Sequence, residues 1–311
     1  MTDSTAAEGP SSLFLVGCAR TGSTLLRHVL NHSPLVTIAP ETHFMRRSRY
    51  LRLATRLAAA STPSTLRALV DTLYSVDRHS GTGYWAWLRG KVPRDEFLER
   101  LAATDRSERA LFTLLVDLFA ERSGHEPLAV WGEKTPSHLM FVPTLVDWFP
   151  DAKIIHTFRD PRAMYASELR RRREGRWGPK RLLRWLPDFL IDPILAPIEA
   201  VRTAIVWRRA SRLDATYRRQ LGDRYRLVRF EDLVREPEPV LRAVCELIGM
   251  PFDPALLQVD VVGSSFEEQR HATRGFDPGI AERWRAHVGP IARAWFRLVL
   301  GGQLAERGYR P

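Results

Sequence analysis

The stretch LFLVGCARTGSTLLRHVLN, from Leu13 to Asn31, decides the architecture. Its apolar run Leu13 to Val16 has the length of a buried strand and stops at Gly17, where a loop with a second glycine, Gly22, begins. Beyond the loop, Leu25, Leu26, Val29 and Leu30 fall at helix spacing, and Pro34 stands just past the last of them. Strand, glycine loop and helix start therefore follow one another directly.

Such an order suits an anion. The first amides of a helix have no intrahelical acceptor, and the helix dipole adds positive potential at the same end. Gly17 and Gly22 let backbone amides come close, Ser23 and Thr24 add hydroxyls, and Arg20 adds a planar cation. The spacing from Gly17 to Gly22 is that of a nucleotide P-loop, yet Ser23 stands where that motif has its lysine. A P-loop kinase or nucleotide phosphotransferase using ATP and magnesium loses the group that reaches the terminal phosphates, and stays only as the alternative reading.

The segment Arg20 to Leu25 resembles the 5′-phosphosulfate loop of sulfotransferases that use 3′-phosphoadenosine-5′-phosphosulfate. The resemblance assigns Arg20, Thr21, Gly22, Ser23 and Thr24 to the donor. Outward from the loop, four more apolar runs each end in a polar cluster. Leu35 to Ala39 reads as a second strand and leads into Pro40, Glu41, Thr42 and His43, where Glu41 or His43 can take a proton from a hydroxyl. The plain alternative is that Glu41 pairs with Arg46 or Arg47. Leu128 to Trp131 reads as a third strand, with Lys134 just past its end in Gly132-Glu133-Lys134-Thr135-Pro136. Lys153 to Phe158 is the clearest strand and is followed by Arg159-Asp160-Pro161-Arg162 and a helix that carries Ser167 and Arg171. Arg226 to Phe230 completes the set before Glu231-Asp232-Leu233. In an open parallel sheet, ligands gather at the carboxyl ends of the strands, which is where these clusters fall.

The same family resemblance extends to these clusters and is closest, in motif, to the tyrosylprotein sulfotransferase-like branch. It implies that Glu41 is the general base, with His43 as runner-up, and that Lys134 and Arg20 are catalytic. It implies that Arg159 and Ser167 hold the ribose 3′-phosphate, with Arg171 a further contact, and that Ser265, Arg283 and Trp284 belong to a C-terminal donor loop. That branch has a donor-contacting tyrosine where this chain has Phe230, so a hydroxyl contact is lost and stacking is kept. No metal is implied. The expected product is adenosine 3′,5′-bisphosphate.

Composition sets the remaining bounds. With 311 residues the chain can bury a full core, and residues 11–311 are expected to form one α/β domain, a P-loop-like parallel sheet flanked by helices, behind a disordered 1–10. Residues 50–125 and 175–215 read as helical cap regions on the acceptor side. The net charge of +11 invites a nucleic-acid reading, but no zinc-finger, RRM or KH pattern accompanies it, and an anionic donor accounts for the arginines as well. Two cysteines, Cys18 and Cys245, form no disulfide framework and suggest a reducing, cytoplasmic location. No run reaches the roughly 20 apolar residues of a membrane helix. Trp185 to Ala200, broken by Pro187, Pro193 and Pro197, reads as packing against the core or as a lid or peripheral membrane contact. The aromatics of Gly81 to Trp87 read as buried tryptophans or as an acceptor wall. The expected partner is a small-molecule hydroxyl acceptor, lipophilic or glycosylated.

Overall fold

The computed structural model describes residues 10–75, 85–125, 128–173, 188–261 and 273–310. The expected disordered start, most of the glycine-flanked turn before Trp85, the basic stretch 174–187 and Ser265 lie outside those residues.

In chain order the N-terminal elements are β1 (Ser11–Gly17), α1 (Ser23–Leu30) and β2 (Val36–Ala39). Six helices follow: α2 (Phe44–Leu51), α3 (Leu53–Ala59), α4 (Pro63–Tyr74), α5 (Ala86–Lys91), α6 (Arg94–Ala102) and α7 (Glu108–Glu121). Then come β3 (Val130–Lys134), α8 (Val142–Trp148), β4 (Lys153–Phe158), α9 (Pro161–Arg173), α10 (Asp188–Leu221) and β5 (Tyr225–Arg229). The chain ends with α11 (Phe230–Arg235), α12 (Pro237–Ile248) and α13 (Pro290–Glu306). The strands form one parallel five-stranded sheet in the order β2-β3-β1-β4-β5, flanked by helices. Strands buried on both faces read as continuous apolar runs, and β1 is buried from Leu13 onward for that reason.

Two compact units divide the chain, one of residues up to Leu15 with Ser33–Ile154, the other of Val16–His32 with Ile155–Pro311. In the first, β2 and β1 both pair with β3, and Ala39 stands opposite Glu133. Its core is aromatic. Phe14 packs at 5.4 Å from Phe149 and 6.0 Å from Phe112, while Phe44 packs at 5.3 Å from Phe112 and stacks at 6.2 Å on Trp85. Trp85 is buried and its indole N–H donates to Thr42 O at 2.9 Å, so this tryptophan holds the core together. Side-chain caps start two of these helices, with Thr62 and Thr65 forming a capping box at α4 and Ser107 accepting from Ala110 N at α7.

In the second unit α10 packs with α9 and α13, and Trp207 of α10 lies 5.2 Å from Phe158 while its N–H donates to Arg159 O. α10 lies largely within the stretch expected to be helical, and the segment with the prolines is part of one continuous helix. It runs 34 residues through Pro193 and Pro197, with Leu195, Glu199, Ala200 and Thr203 on its buried side. Tertiary packing of one face outweighs the loss of the prolines' N–H groups. Ile194, Ile198, Val201 and Ile205 line its exposed side. No described helix is long and apolar enough to cross a membrane.

Two strand boundaries also differ from expectation. β3 starts at Val130 and contains Gly132, Glu133 and Lys134, so Lys134 is the last strand residue and not a loop residue beyond it. β5 ends at Arg229, and Phe230 opens α11.

Candidate active site

The C-terminal end of β1 is shaped by two glycines. Gly17 has φ +154°, and a Cβ on it would stand 2.4 Å from Thr157 O of β4. Gly22, with φ +86°, caps α1, and a Cβ there would stand 2.3 Å from the Phe230 ring. Only a residue without a side chain fits either place. Gly22 also offers no side-chain cap, so the first turn of α1 carries no capping side chain from it, as an anion-binding helix start requires. Between the glycines, the Thr21 hydroxyl is buried and bonded to Cys18 O (2.8 Å) and Thr157 Oγ1 (2.7 Å), which fixes the loop to β4. Arg20 holds the left-handed conformation at φ +71°, an unfavourable backbone for an arginine. Ser23 is buried and Thr24 exposed at the helix start.

The strained arginine meets the residues expected at the end of β4. Arg20 Nε donates to Ser167 Oγ at 2.7 Å, and an Arg159 amino group donates to Arg20 O at 3.2 Å. The Arg159 guanidinium lies 4.0 Å over the Phe230 ring, and its Nε is buried without a partner. Burial lowers its pKa to about 10, with Arg20 adding to the effect and Glu231 opposing it. Glu231 is itself buried, accepts from Asp160 N at 3.0 Å and from the Tyr309 hydroxyl at 3.1 Å. Two guanidinium groups, a hydroxyl and an open helix N-terminus thus converge in this unit, and the buried donor left over on Arg159 calls for an anionic acceptor.

Other expected contacts fall elsewhere. Arg171 forks onto Glu168 at 2.7 and 3.1 Å, and Arg283 pairs with Asp277 at 2.6 Å. Trp284 is buried, with the Arg162 guanidinium 4.6 Å over its ring. Tyr309 carried no sequence signal, because its carboxylate partner lies 78 residues away.

In the first unit, the ends of β2 and β3 gather a second cluster. Lys134 Nζ donates to Glu41 Oε1 at 2.5 Å, and His43 Nε2 lies 3.1 Å from Glu41 Oε2. Burial pushes the Glu41 carboxyl up, but the His43 bond and the Lys134 charge outweigh it and hold the pKa at about 2. Arg46 and Arg47 are not the partners found for it. His43 holds a positive φ, at +51°. Behind this pair stands Glu133, which sequence reasoning passed over because a carboxylate in a strand carries no motif signal. It accepts from Thr42 N (2.9 Å), Thr42 Oγ1 (3.0 Å) and the Thr135 hydroxyl, and its other oxygen lies 3.2 Å from His138 Nδ1.

Known proteins resemble this chain in sequence and in fold. The model of the sulfotransferase family matches residues 10–254. The nodulation protein NoeE of Sinorhizobium fredii (strain NBRC 101917 / NGR234) is 27% identical over 255 residues, which cover 79% of this chain and 51% of that protein. The chain thus spans about half the length of that curated relative. Among solved structures, the sulfotransferase domain of the Synechococcus PCC 7002 olefin synthase is similar with a TM-score of 0.53 at 21% identity, covering 93% of this chain and 96% of that one. The sulfotransferase domain of the curacin biosynthetic pathway gives the same TM-score at 20% identity, covering 97% and 99%. These two likenesses concern the fold, and the family match over residues 10–254 carries the assignment: the chain belongs to the sulfotransferase family.

Proposed function

We propose that this sulfotransferase moves a sulfuryl group from 3′-phosphoadenosine-5′-phosphosulfate to a hydroxyl of a small-molecule acceptor. The observation that carries the choice of donor is the buried, unpartnered Nε of Arg159 beside the Arg20–Ser167 pair. A 3′-phosphate satisfies that donor, and ATP has none to offer. The bound donor supplies the sulfuryl group and, in transfer, releases adenosine 3′,5′-bisphosphate.

The remaining roles belong to the chain. Arg159 and Ser167 hold the 3′-phosphate, and Arg20 with Thr21, Gly22, Ser23 and Thr24 at the start of α1 holds the 5′-phosphosulfate. Arg171, already forked onto Glu168, has less to give. Glu41 accepts the proton of the attacking hydroxyl. Its carboxylate is ionised and bonded to Lys134, so it becomes a useful base only once that ammonium lets go, since a pKa of about 2 is far from the optimum for proton abstraction. Lys134 therefore serves Glu41 in the resting protein and developing negative charge during transfer. Such an electrostatic contribution is worth about 3 kcal/mol per donor. The acceptor is a lipophilic or glycosylated alcohol or phenol.

Calorimetry without magnesium tests the donor. Adenosine 3′,5′-bisphosphate is expected to bind the wild type, Arg159→Ala to weaken it by about 10-fold to 100-fold, and ATP to compete poorly. Preference for ATP with magnesium, or an Arg159→Ala protein that binds as well as the wild type, overturns the assignment.

A further inference from the structure

Glu133 has no solvent access worth the name, at 1% exposed, and no lysine or arginine beside it among its described partners. A lone buried carboxylate is costly unless its oxygens are saturated with donors. Here one of them is: Oε1 takes three bonds, from Thr42 N, Thr42 Oγ1 and the Thr135 hydroxyl. Oε2 lies 3.2 Å from Nδ1 of the fully buried His138, with no hydrogen bond formed at either atom, while Met45 N donates to the ring's Nε2 at 3.4 Å. Burial alone would push the Glu133 carboxyl up, and His138, Thr135 and Thr42 hold it below its ordinary value instead.

Two of the three bonds to Oε1 come from one turn. Thr42 lies between Glu41 and His43, its hydroxyl also accepts from Phe44 N at 3.1 Å, and its carbonyl accepts from Trp85. His43 N donates to Thr135 Oγ1 at 3.2 Å, and that hydroxyl in turn donates to Glu133 Oε1. His43 needs such help, because its left-handed backbone is unfavourable without it. Glu133 also neighbours Lys134 in β3, so one strand supplies both the cation that meets Glu41 and the carboxylate that anchors the turn bearing it.

We propose that Glu133 is a positioning residue for transfer: acting through Thr42, it fixes the Glu41–Thr42–His43 turn in the one geometry that sets Glu41 against Lys134 and His43. The proposal rests on the reading of Glu41 as the base. Misplacing a reacting group by about 1 Å can cost about 100-fold in rate, so a rigid mount for that carboxylate has a kinetic value beyond stability.

The test reads the mount through Glu41 itself. In the full chain with isotope-labelled glutamate, the Glu41 carboxyl, assigned by its loss in Glu41→Gln, is titrated by NMR in wild type, Thr42→Ser, Thr42→Val and Glu133→Gln. Its midpoint is expected near about 2 in wild type and Thr42→Ser, which keeps the hydroxyl. In Thr42→Val and Glu133→Gln it is expected to rise by about one unit or more, as the contacts with Lys134 and His43 loosen. A midpoint that stays put in both, or falls as removal of a neighbouring negative charge alone would make it, overturns the proposal. Adenosine 3′,5′-bisphosphate binding by calorimetry checks that each variant is folded, and should Glu133→Gln fail to fold, Thr42→Val against Thr42→Ser decides. Turnover of the donor to water is measured alongside. A fall of about 10-fold or more in Thr42→Val, with KM for the donor unchanged and activity restored in Thr42→Ser, supports positioning. If Glu41→Gln keeps full donor turnover while the titrations move as expected, the base assignment fails and the anchoring of the turn stands.

Discussion

Lys134 and Glu41 show how one contact can set two properties. The folded protein keeps the Glu41 carboxyl ionised down to about 2, whereas an ordinary glutamate takes its proton near 4.5. Between those values the unfolded chain binds a proton that the folded one refuses. The stability this pair contributes is therefore complete above about 4.5 and is lost as the pH falls towards about 2. Lys134→Met removes the ammonium but leaves His43, so the Glu41 midpoint is expected to climb from about 2 without reaching 4.5, and sulfuryl transfer to fall by about 100-fold. An NMR titration of Glu41 and a turnover assay check the two parts separately. A midpoint that does not move would show that His43 alone depresses the carboxyl. The sequence marks Arg20, Arg159 and Ser167 by their place after strand ends, but it does not show that Arg171 and Arg283 have carboxylate partners, since a guanidinium reads the same in sequence whether it faces a phosphate or a carboxylate. The partners that take them, Glu168 and Asp277, become visible only in three dimensions.

At the level of elements, the unit from β1 through the glycine loop to α1 is the most constrained part of the chain. Gly22 combines positive φ with a Phe230 ring where a Cβ would go. Gly22→Ala is expected to cost about 1–3 kcal/mol in stability and to weaken adenosine 3′,5′-bisphosphate binding as well, because the same ring lies under the Arg159 guanidinium. Urea denaturation and calorimetry measure the two effects, and a stable variant with wild-type affinity would refute the link between loop and ring. β4 was read from sequence to its boundaries because Ile154 and Ile155 with Phe158 mark the run and Arg159-Asp160-Pro161 ends it. β3 was not, because its last three residues, Gly132, Glu133 and Lys134, look like loop until Thr42, Thr135 and Glu41 are seen to satisfy them. α10 keeps one continuous helix through Pro193 and Pro197, because its buried face holds it against the core.

For the molecule as a whole, acid sensitivity should come from a group with no part in transfer. His156 is fully buried, and burial, aided by Arg307 and Arg218 and opposed by Asp214, lowers its pKa to about 4. Its Nδ1 bonds Tyr225 at 2.7 Å, the Tyr225 hydroxyl donates on to Asp214, and its Nε2 has no partner to receive a proton's hydrogen bond. An ordinary histidine protonates near 6.5, so below that value the unfolded chain holds a proton that the folded protein excludes. Stability is therefore expected to fall as the pH drops from about 6.5 to about 4, by at most about 3 kcal/mol from this group. Thermal melts across that range check it, with His156→Gln flattening the slope. By itself the sequence determined the order of strands and loops, the glycine positions and the residue types at the strand ends, because those follow from local pattern and backbone sterics. Which polar group meets which was decided only by the tertiary structure. Lys134 meets Glu41 across 93 residues, Arg20 meets Ser167 across 147, and Thr42 meets Glu133 across 91, separations over which no sequence pattern acts and only the packed fold can bring donor and acceptor within a few ångströms.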